Sequence, residues 1–259
     1  RLSIGLYHIS INTKGGRTMA VQSVFRRKEM KYLLDPQQYS EFRKRITGYM
    51  EQDQYGLHTI CSIYFDNDDD HIIKKSLEKP LYKEKLRLRS YGVPKDESSP
   101  VFLELKKKYK GIVYKRRIPL TLKAAEDYIY NDIKPDQSQI FREIDYFRRL
   151  YNVYPKIFIG YDRIAMFGTA DHELRLTFDF NVRCRRTMLH LTDGDHGTKL
   201  LPDGYALMEI KISGSMPLWL SHILTELKIY PTSFSKYGEF YKAELASKNT
   251  AKGENIKCS

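Results

Sequence analysis

Lys85-Leu86-Arg87-Leu88-Arg89 alternates leucine with a cation at a period of two, and that alternation decides how the chain folds. Side chains at i, i+2 and i+4 of a strand share one face, so Lys85, Arg87 and Arg89 point together while the leucines point to the other side. The same pattern returns in Leu103-Glu104-Leu105-Lys106-Lys107-Lys108 and in Met208-Glu209-Ile210-Lys211-Ile212. An ordinary half-buried sheet carries a mixed polar outer face. Here the polar faces are almost wholly cationic, with single glutamates set among them. Such faces cannot enter a dry core, because an unpaired buried charge costs several kcal/mol. Converging around a wet interior, they would suit a highly charged anion, with a metal.

Working outward, the strand-like stretches are 24–34, 58–66, 82–91, 101–109, 112–120, 155–167, 173–182 and 205–213, about eight in all. Short turns between neighbours favour antiparallel pairing. Helices are expected from Asp35-Pro36, over 68–77, over 121–129 with Thr121 as N-cap, and over 138–150, 217–227 and 233–247. The fold class is therefore α+β: a closed eight-stranded antiparallel β-barrel with helices packed outside. An open sheet with one solvated basic face is the alternative. Residues 19–247 are expected to form one domain. Residues 1–18, which precede Met19, are expected to be a non-native or disordered leader, and 248–259 a disordered tail.

Composition narrows the partner. The 259 residues carry a net charge of +12, which favours a polyanion such as nucleic acid, a phosphorylated metabolite, polyphosphate or acidic lipid. Three scattered cysteines, Cys61, Cys184 and Cys258, lack zinc or disulfide spacing and fit a reducing compartment. No apolar run reaches the ~20 residues of a membrane span, and the expected location is cytoplasmic. The histidines show no triad or metal spacing. Asp66–Asp70 lacks the glycine and terminal glutamate of a calcium loop. The 20 tyrosines raise the prospect of base stacking, but Tyr64, Phe102 and Phe158 are read as packing residues.

In chain order, RRKEMKYLL (26–34), SIYFDN (62–67), EKLRLRSYG (84–92), VFLELKKKYKG (101–111), YDRIA (161–165), ELRLTFD (173–179), LMEIKI (207–212) and FSKY (234–237) resemble the catalytic domain of the vacuolar transporter chaperone (VTC) polyphosphate polymerases. That domain is part of the CYTH-like triphosphate tunnel superfamily, and the likeness spans about residues 24 to 245. It implies a triphosphate tunnel and a metal-dependent phosphotransferase that moves the γ-phosphate of ATP onto polyphosphate. Mn²⁺ or Mg²⁺ would be the cofactor. A separate membrane protein would be a partner, holding the domain at the inner face of a membrane, and no specific nucleic acid is expected.

Carried over by position, the resemblance implies phosphate contacts at Lys31, Arg87, Arg89, Lys106, Arg163, Arg175 and Lys211. It adds Lys236 at the tunnel mouth and Glu209 as metal ligand, with Glu29 or Glu104 assisting. Arg163 and Lys236 rest on the resemblance alone; the others also follow from alternation. Each has a plainer reading: a solvated strand face for the arginines, a cross-strand ion pair for Glu209 and Lys211, and pairing with neighbouring cations for Glu104. Asp179 is expected to orient Arg175. Lys115 and Arg117 share a face that is either tunnel wall or solvated, and Lys107, Lys108 and Lys110 are read as surface charge. Hydrolytic superfamily members open with ExExK, whereas Arg27-Lys28-Glu29-Met30-Lys31 lacks the first glutamate. That loss disfavours water activation and favours transfer. A triphosphate hydrolase and a non-catalytic polyphosphate or RNA binder are the alternatives.

Overall fold

The structure, a computed structural model, describes residues 24–25, 28–110, 112–135 and 137–255. The expected leader 1–18 and Arg27 lie outside them. The elements in chain order are β1 (Val24–Phe25), β2 (Lys28–Leu34), α1 (Pro36–Arg45), β3 (Met50–Gln52), β4 (His58–Asp66), α2 (His71–Leu77), β5 (Tyr82–Tyr91), β6 (Pro100–Tyr109) and β7 (Ile112–Thr121). There follow α3 (Leu122–Asn131), α4 (Gln139–Leu150), β8 (Tyr154–Gly168), β9 (Arg175–Arg185), β10 (Thr198–Lys199), β11 (Ala206–Ile212), α5 (Leu218–Glu226), β12 (Pro231–Thr232) and α6 (Lys236–Asn255). Local chemistry sets the helix starts. Asp35 accepts from the Gln38 amide in a capping box, and Thr121 and Ser138 accept from Ala124 and Phe141. The last helix passes Ser247 and runs to Asn255, so 248–255 of the expected tail are helical.

All strands join one antiparallel sheet in the order β1-β7-β6-β5-β4-β8-β9-β11-β2-β12, with β10 on β9 and β3 on β8. The expected closed eight-stranded barrel is corrected on two counts: among the described residues the sheet has twelve strands, and its hydrogen bonding does not close. The eight long strands are those read from alternation, and four more of two or three residues were too short to show a period. The seam falls within the first expected strand. Val24–Phe25 pairs with β7 while Lys28–Leu34 pairs with β11, so one stretch of chain serves both edges. On its other edge β2 pairs with β12 at Tyr32 and Lys31. Between the two ends of the sheet, Lys106 of β6 bonds Glu29 of β2 at 3.1 Å.

The leucine-bearing faces turn to the helices. Leu86, Leu88, Leu103 and Leu105 pack with Tyr128 of α3 and with Phe141, Ile144 and Phe147 of α4. Leu176, Phe178, Met208 and Ile210 pack with Phe42 of α1 and with Leu220 and Leu224 of α5. A third cluster lies on the opposite, cation-bearing face, where Tyr237 and Tyr241 of α6 and Ile73 of α2 meet Ile157, Ile159 and Leu207. Helices therefore do not all pack outside; where that face turns apolar, α6 packs against it. In β9 a bulge adds one residue between the Gly160–Arg183 and Asp162–Phe180 pairs, with Asn181 at φ 46°. The bulge reverses parity. Arg175, Thr177 and Asp179 face inward, but Val182 and Cys184 take over that face, and Arg185 turns out to lie over the Phe158 ring.

Candidate functional site

The cation-bearing faces enclose a cavity of about 1770 Å³. Lys31, Arg87, Arg89, Lys106, Arg163, Arg175, Lys211 and Lys236 all line it, as do Glu29 and Glu209. The curled sheet thus gathers residues that lie some 200 positions apart in the chain. Lys83, Lys85, Lys108, Lys110 and Lys115 line it too, so Lys108 and Lys110 are wall residues rather than plain surface charge.

On one side the wall is built around Glu104. Its register places Arg87 of β5 and Arg117 of β7 directly opposite. The carboxylate, 1% exposed, accepts from Arg87 at 2.7 Å, Arg117 at 2.6 Å and Lys115 at 2.7 Å, with Arg89 at 3.9 Å. Burial acts to raise the Glu104 carboxyl, but Arg87, Arg89 and Lys115 overcome it and hold the group well below the usual carboxylate range. With its oxygens saturated by fixed cations behind the wall, Glu104 does not fit a metal ligand. It is the counter-charge that lets four cations stand side by side.

Tyr64 faces the cavity beside this cluster, where the Arg87 guanidinium donates to its oxygen at 3.0 Å. Burial tends to raise the Tyr64 phenol, and Arg87 and Arg89 more than offset it, bringing the group to about 7. Tyr64 shares parity with Ser62 and also packs against the third core cluster, as the packing reading expects, while Phe102 shares parity with Glu104 and packs on Tyr91 and Arg117. Arg89 donates to Ser62 at 3.3 Å and to the Tyr161 hydroxyl at 2.9 Å. Tyr161 links the two halves of the wall, for Arg163 and Lys236 lie over its ring at 5.1 and 4.3 Å.

Asp179 is the second fixed counter-charge. It receives both Nε and a terminal nitrogen of Arg163, at 2.6 and 2.8 Å, and the Lys236 ammonium at 2.5 Å. Asp179 therefore orients Arg163 and Lys236 instead of Arg175, because the register sets Arg163 directly opposite it. Burial raises the Asp179 carboxyl, and Lys236 with Arg163 pulls it well below its ordinary value.

The remaining glutamates stand in a checkerboard on β2 and β11, Glu209 opposite Lys31 and Glu29 opposite Lys211. Glu209 is 17% exposed, and its ion pairs among the described residues are with the ammonium groups of Lys211 at 2.8 Å and Lys31 at 4.0 Å. Burial pushes its carboxyl up, and Lys211 and Lys31 hold it well below the ordinary range. Across β9 its partner is Thr177, whose hydroxyl is buried and has no hydrogen-bond partner among the described residues. Two cavity-facing carboxylates on neighbouring strands, held by lysines and adjoined by an unsatisfied hydroxyl, fit a small divalent cation. Mg²⁺ takes few protein carboxylates and fills its sphere with water and phosphate oxygens. Among the described residues no group of three or more His, Cys, Asp or Glu is placed to hold a metal ion.

Asp66, part of the acidic run, accepts from the Ile72 and Ile73 amides at 2.8 and 2.9 Å and from the Tyr237 hydroxyl at 3.0 Å. It is an anchor for α2 and α6. No helix among the described residues is long and apolar enough to cross a membrane.

Among solved structures the chain is similar to a candidate adenylate cyclase from Bacillus halodurans, at 14% identity and TM-score 0.49, covering 83% of this chain and 96% of that one. A candidate adenylate cyclase from Vibrio parahaemolyticus matches at 10% identity and TM-score 0.45, over 85% and 99%. The Mimivirus capping enzyme triphosphatase matches at 10% identity and TM-score 0.36, over 79% and 89%. No curated protein sequence matches the chain. The VTC domain model matches residues 26–244, and this protein belongs to the VTC domain family.

Proposed function

We propose that the protein is a metal-dependent phosphotransferase that moves the γ-phosphate of ATP onto a growing polyphosphate chain. The observation that carries this reading is the unequal use of the inward carboxylates. Glu104 and Asp179 are consumed in fixing cations, so neither is available as a base to activate water. Of the inward carboxylates on the strands of the cationic wall, Glu29 and Glu209 stand on neighbouring strands and suit one metal.

Phosphoryl transfer asks for positioning and charge neutralisation more than for covalent participation by the protein. Arg87 and Arg89 present planar donors fixed by Glu104, Ser62, Tyr64 and Tyr161, and guanidinium stays charged at any working pH. Lys106 and Lys211 are tethered by ion pairs to Glu29 and Glu209, and Lys31 by the Phe234 carbonyl at 2.9 Å with Glu209 at 4.0 Å, so all three ammonium groups sit on flexible stems that can turn to incoming phosphate oxygens. Bound at Glu209 and Glu29, Mg²⁺ or Mn²⁺ would supply Lewis-acid neutralisation of phosphate charge. A terminal oxygen of the polymer attacks the γ-phosphorus in line, the bond from γ-phosphorus to the β,γ-bridging oxygen breaks, and ADP leaves with that electron pair.

The test is incubation with ATP and Mn²⁺ or Mg²⁺ followed by gel analysis of polymer. Polyphosphate formation supports the proposal. Phosphate release without polymer would replace it with hydrolysis, and tripolyphosphate binding without turnover would replace it with simple binding.

A further inference from the structure

The two ends of the cationic face of β5 differ in chemistry. Lys83, Lys85, Arg87, Arg89 and Tyr91 follow one another at about 7 Å per step along that face, so the row of cations ends in an aromatic ring. Tyr91 is 53% exposed and its ring lies 5.6 Å from Phe102 and 6.3 Å from His58. Tyr55 stands 6.2 Å from His58 and is 69% exposed. Arg117 binds the group to the wall, with its guanidinium 4.0 Å over Phe102 and 2.9 Å from the Tyr91 hydroxyl. Tyr55, His58 and Tyr91 all line the cavity.

The loop that presents Tyr55 is ordered by its own bonds. Asp53 donates its amide to Ala165 at 2.9 Å, its carboxylate accepts from the Tyr55 amide at 3.1 Å, and Gly56 turns back at φ +60°. The opposite end of the same face offers Lys83, with Lys108 across the ladder. A polyanion gains nothing from exposed tyrosine rings, whereas a nucleobase stacks on them.

We infer that Tyr55, His58 and Tyr91 form the nucleobase subsite of this cavity, so that a nucleoside triphosphate enters base-outward from the aromatic end. The inference rests on the proposal that the cavity takes nucleoside triphosphates. The order along β5, aromatic and then Arg89 and Arg87, repeats the order of base and phosphates in such a ligand. Polymer without a base would occupy the lysine end.

Binding of ATP and of inorganic tripolyphosphate to the whole chain, measured by calorimetry, tests this. Wild type should bind ATP more tightly than tripolyphosphate. Tyr55→Ala should weaken ATP about tenfold and leave tripolyphosphate within about twofold, and Tyr55→Trp should restore ATP binding. If Tyr55→Ala weakens both ligands equally, or neither, the subsite is wrong while the cavity reading stands. Equal affinity of wild type for the two ligands would also overturn it. Failure of wild type to bind tripolyphosphate would instead remove the cavity reading, and the subsite with it.

Discussion

Glu104 and Glu209 sit in nearly the same local sequence, Leu-Glu-Leu-Lys and Met-Glu-Ile-Lys, yet their surroundings differ. Glu104 lies between two strands that each offer arginine, and its 1%-exposed carboxylate is gripped from three directions within 2.7 Å. Glu209 lies between a strand offering Lys31 and one offering Thr177, and its ion pairs among the described residues are with lysines. Guanidinium forks fix a carboxylate in place, while an ammonium on a flexible stem releases it at little cost. The same residue type is thus a fixed counter-charge in one half of the wall and, in the proposed function, a metal ligand in the other. What a charged strand face does depends on the strand registered beside it.

The largest break in that comparison is expected from Glu209→Gln. Polymer formation from ATP should fall by about a hundredfold or more, given the several kcal/mol of charge stabilisation a metal supplies. Thermal stability should stay close to wild type, since its ion pairs among the described residues are with lysines. Glu104→Gln should do the converse: removing the partner of buried cations costs about 3 kcal/mol, seen as a melting temperature lowered by roughly 6–12 °C. A Glu104→Gln protein as stable as wild type would dissolve the distinction. Arg89→Ala should weaken tripolyphosphate binding by roughly tenfold, the loss of one charge-assisted contact, and titration calorimetry reads it directly.

The smallest effect is in the pH profile. Burial lowers Lys85 to about 8, helped by Lys31, Lys83 and Lys106, and burial likewise lowers Lys115 to about 8 against the pull of Glu104. A bound polyanion favours the charged form of both. Tyr64, at about 7, becomes anionic first, so tripolyphosphate affinity should decline by a few-fold as pH rises from 7 through 8, with Lys85 and Lys115 losing their charge in the upper part of that window. Lys85→Arg should flatten the decline, because arginine keeps its charge. An affinity that rose across pH 8 would contradict these assignments.

The eight long strands and the wall cations were legible because alternation is a local property. Lys85, Arg87 and Arg89 share a face whatever lies beside them. Closure was not legible, since it depends on where residues 24–34 divide their pairing between two edges. Asp179 was assigned to the wrong arginine because parity along β9 shows Arg175, whereas only the register with β8 shows Arg163. The bulge at Asn181 shows the same limit, turning Arg185 away from a face that strict alternation would have given it. Tyr64 has the parity of the charges and packs against the core as expected, but its contact with Arg87 depends on the strand beside it, which alternation does not show.

Titration of Mn²⁺ in the presence of tripolyphosphate, into wild type, Glu209→Gln and Glu104→Gln, tests the central distinction most directly. Metal binding should be lost in Glu209→Gln and kept in Glu104→Gln. Retention in the first with loss in the second would show that the two carboxylates have been assigned the wrong way round.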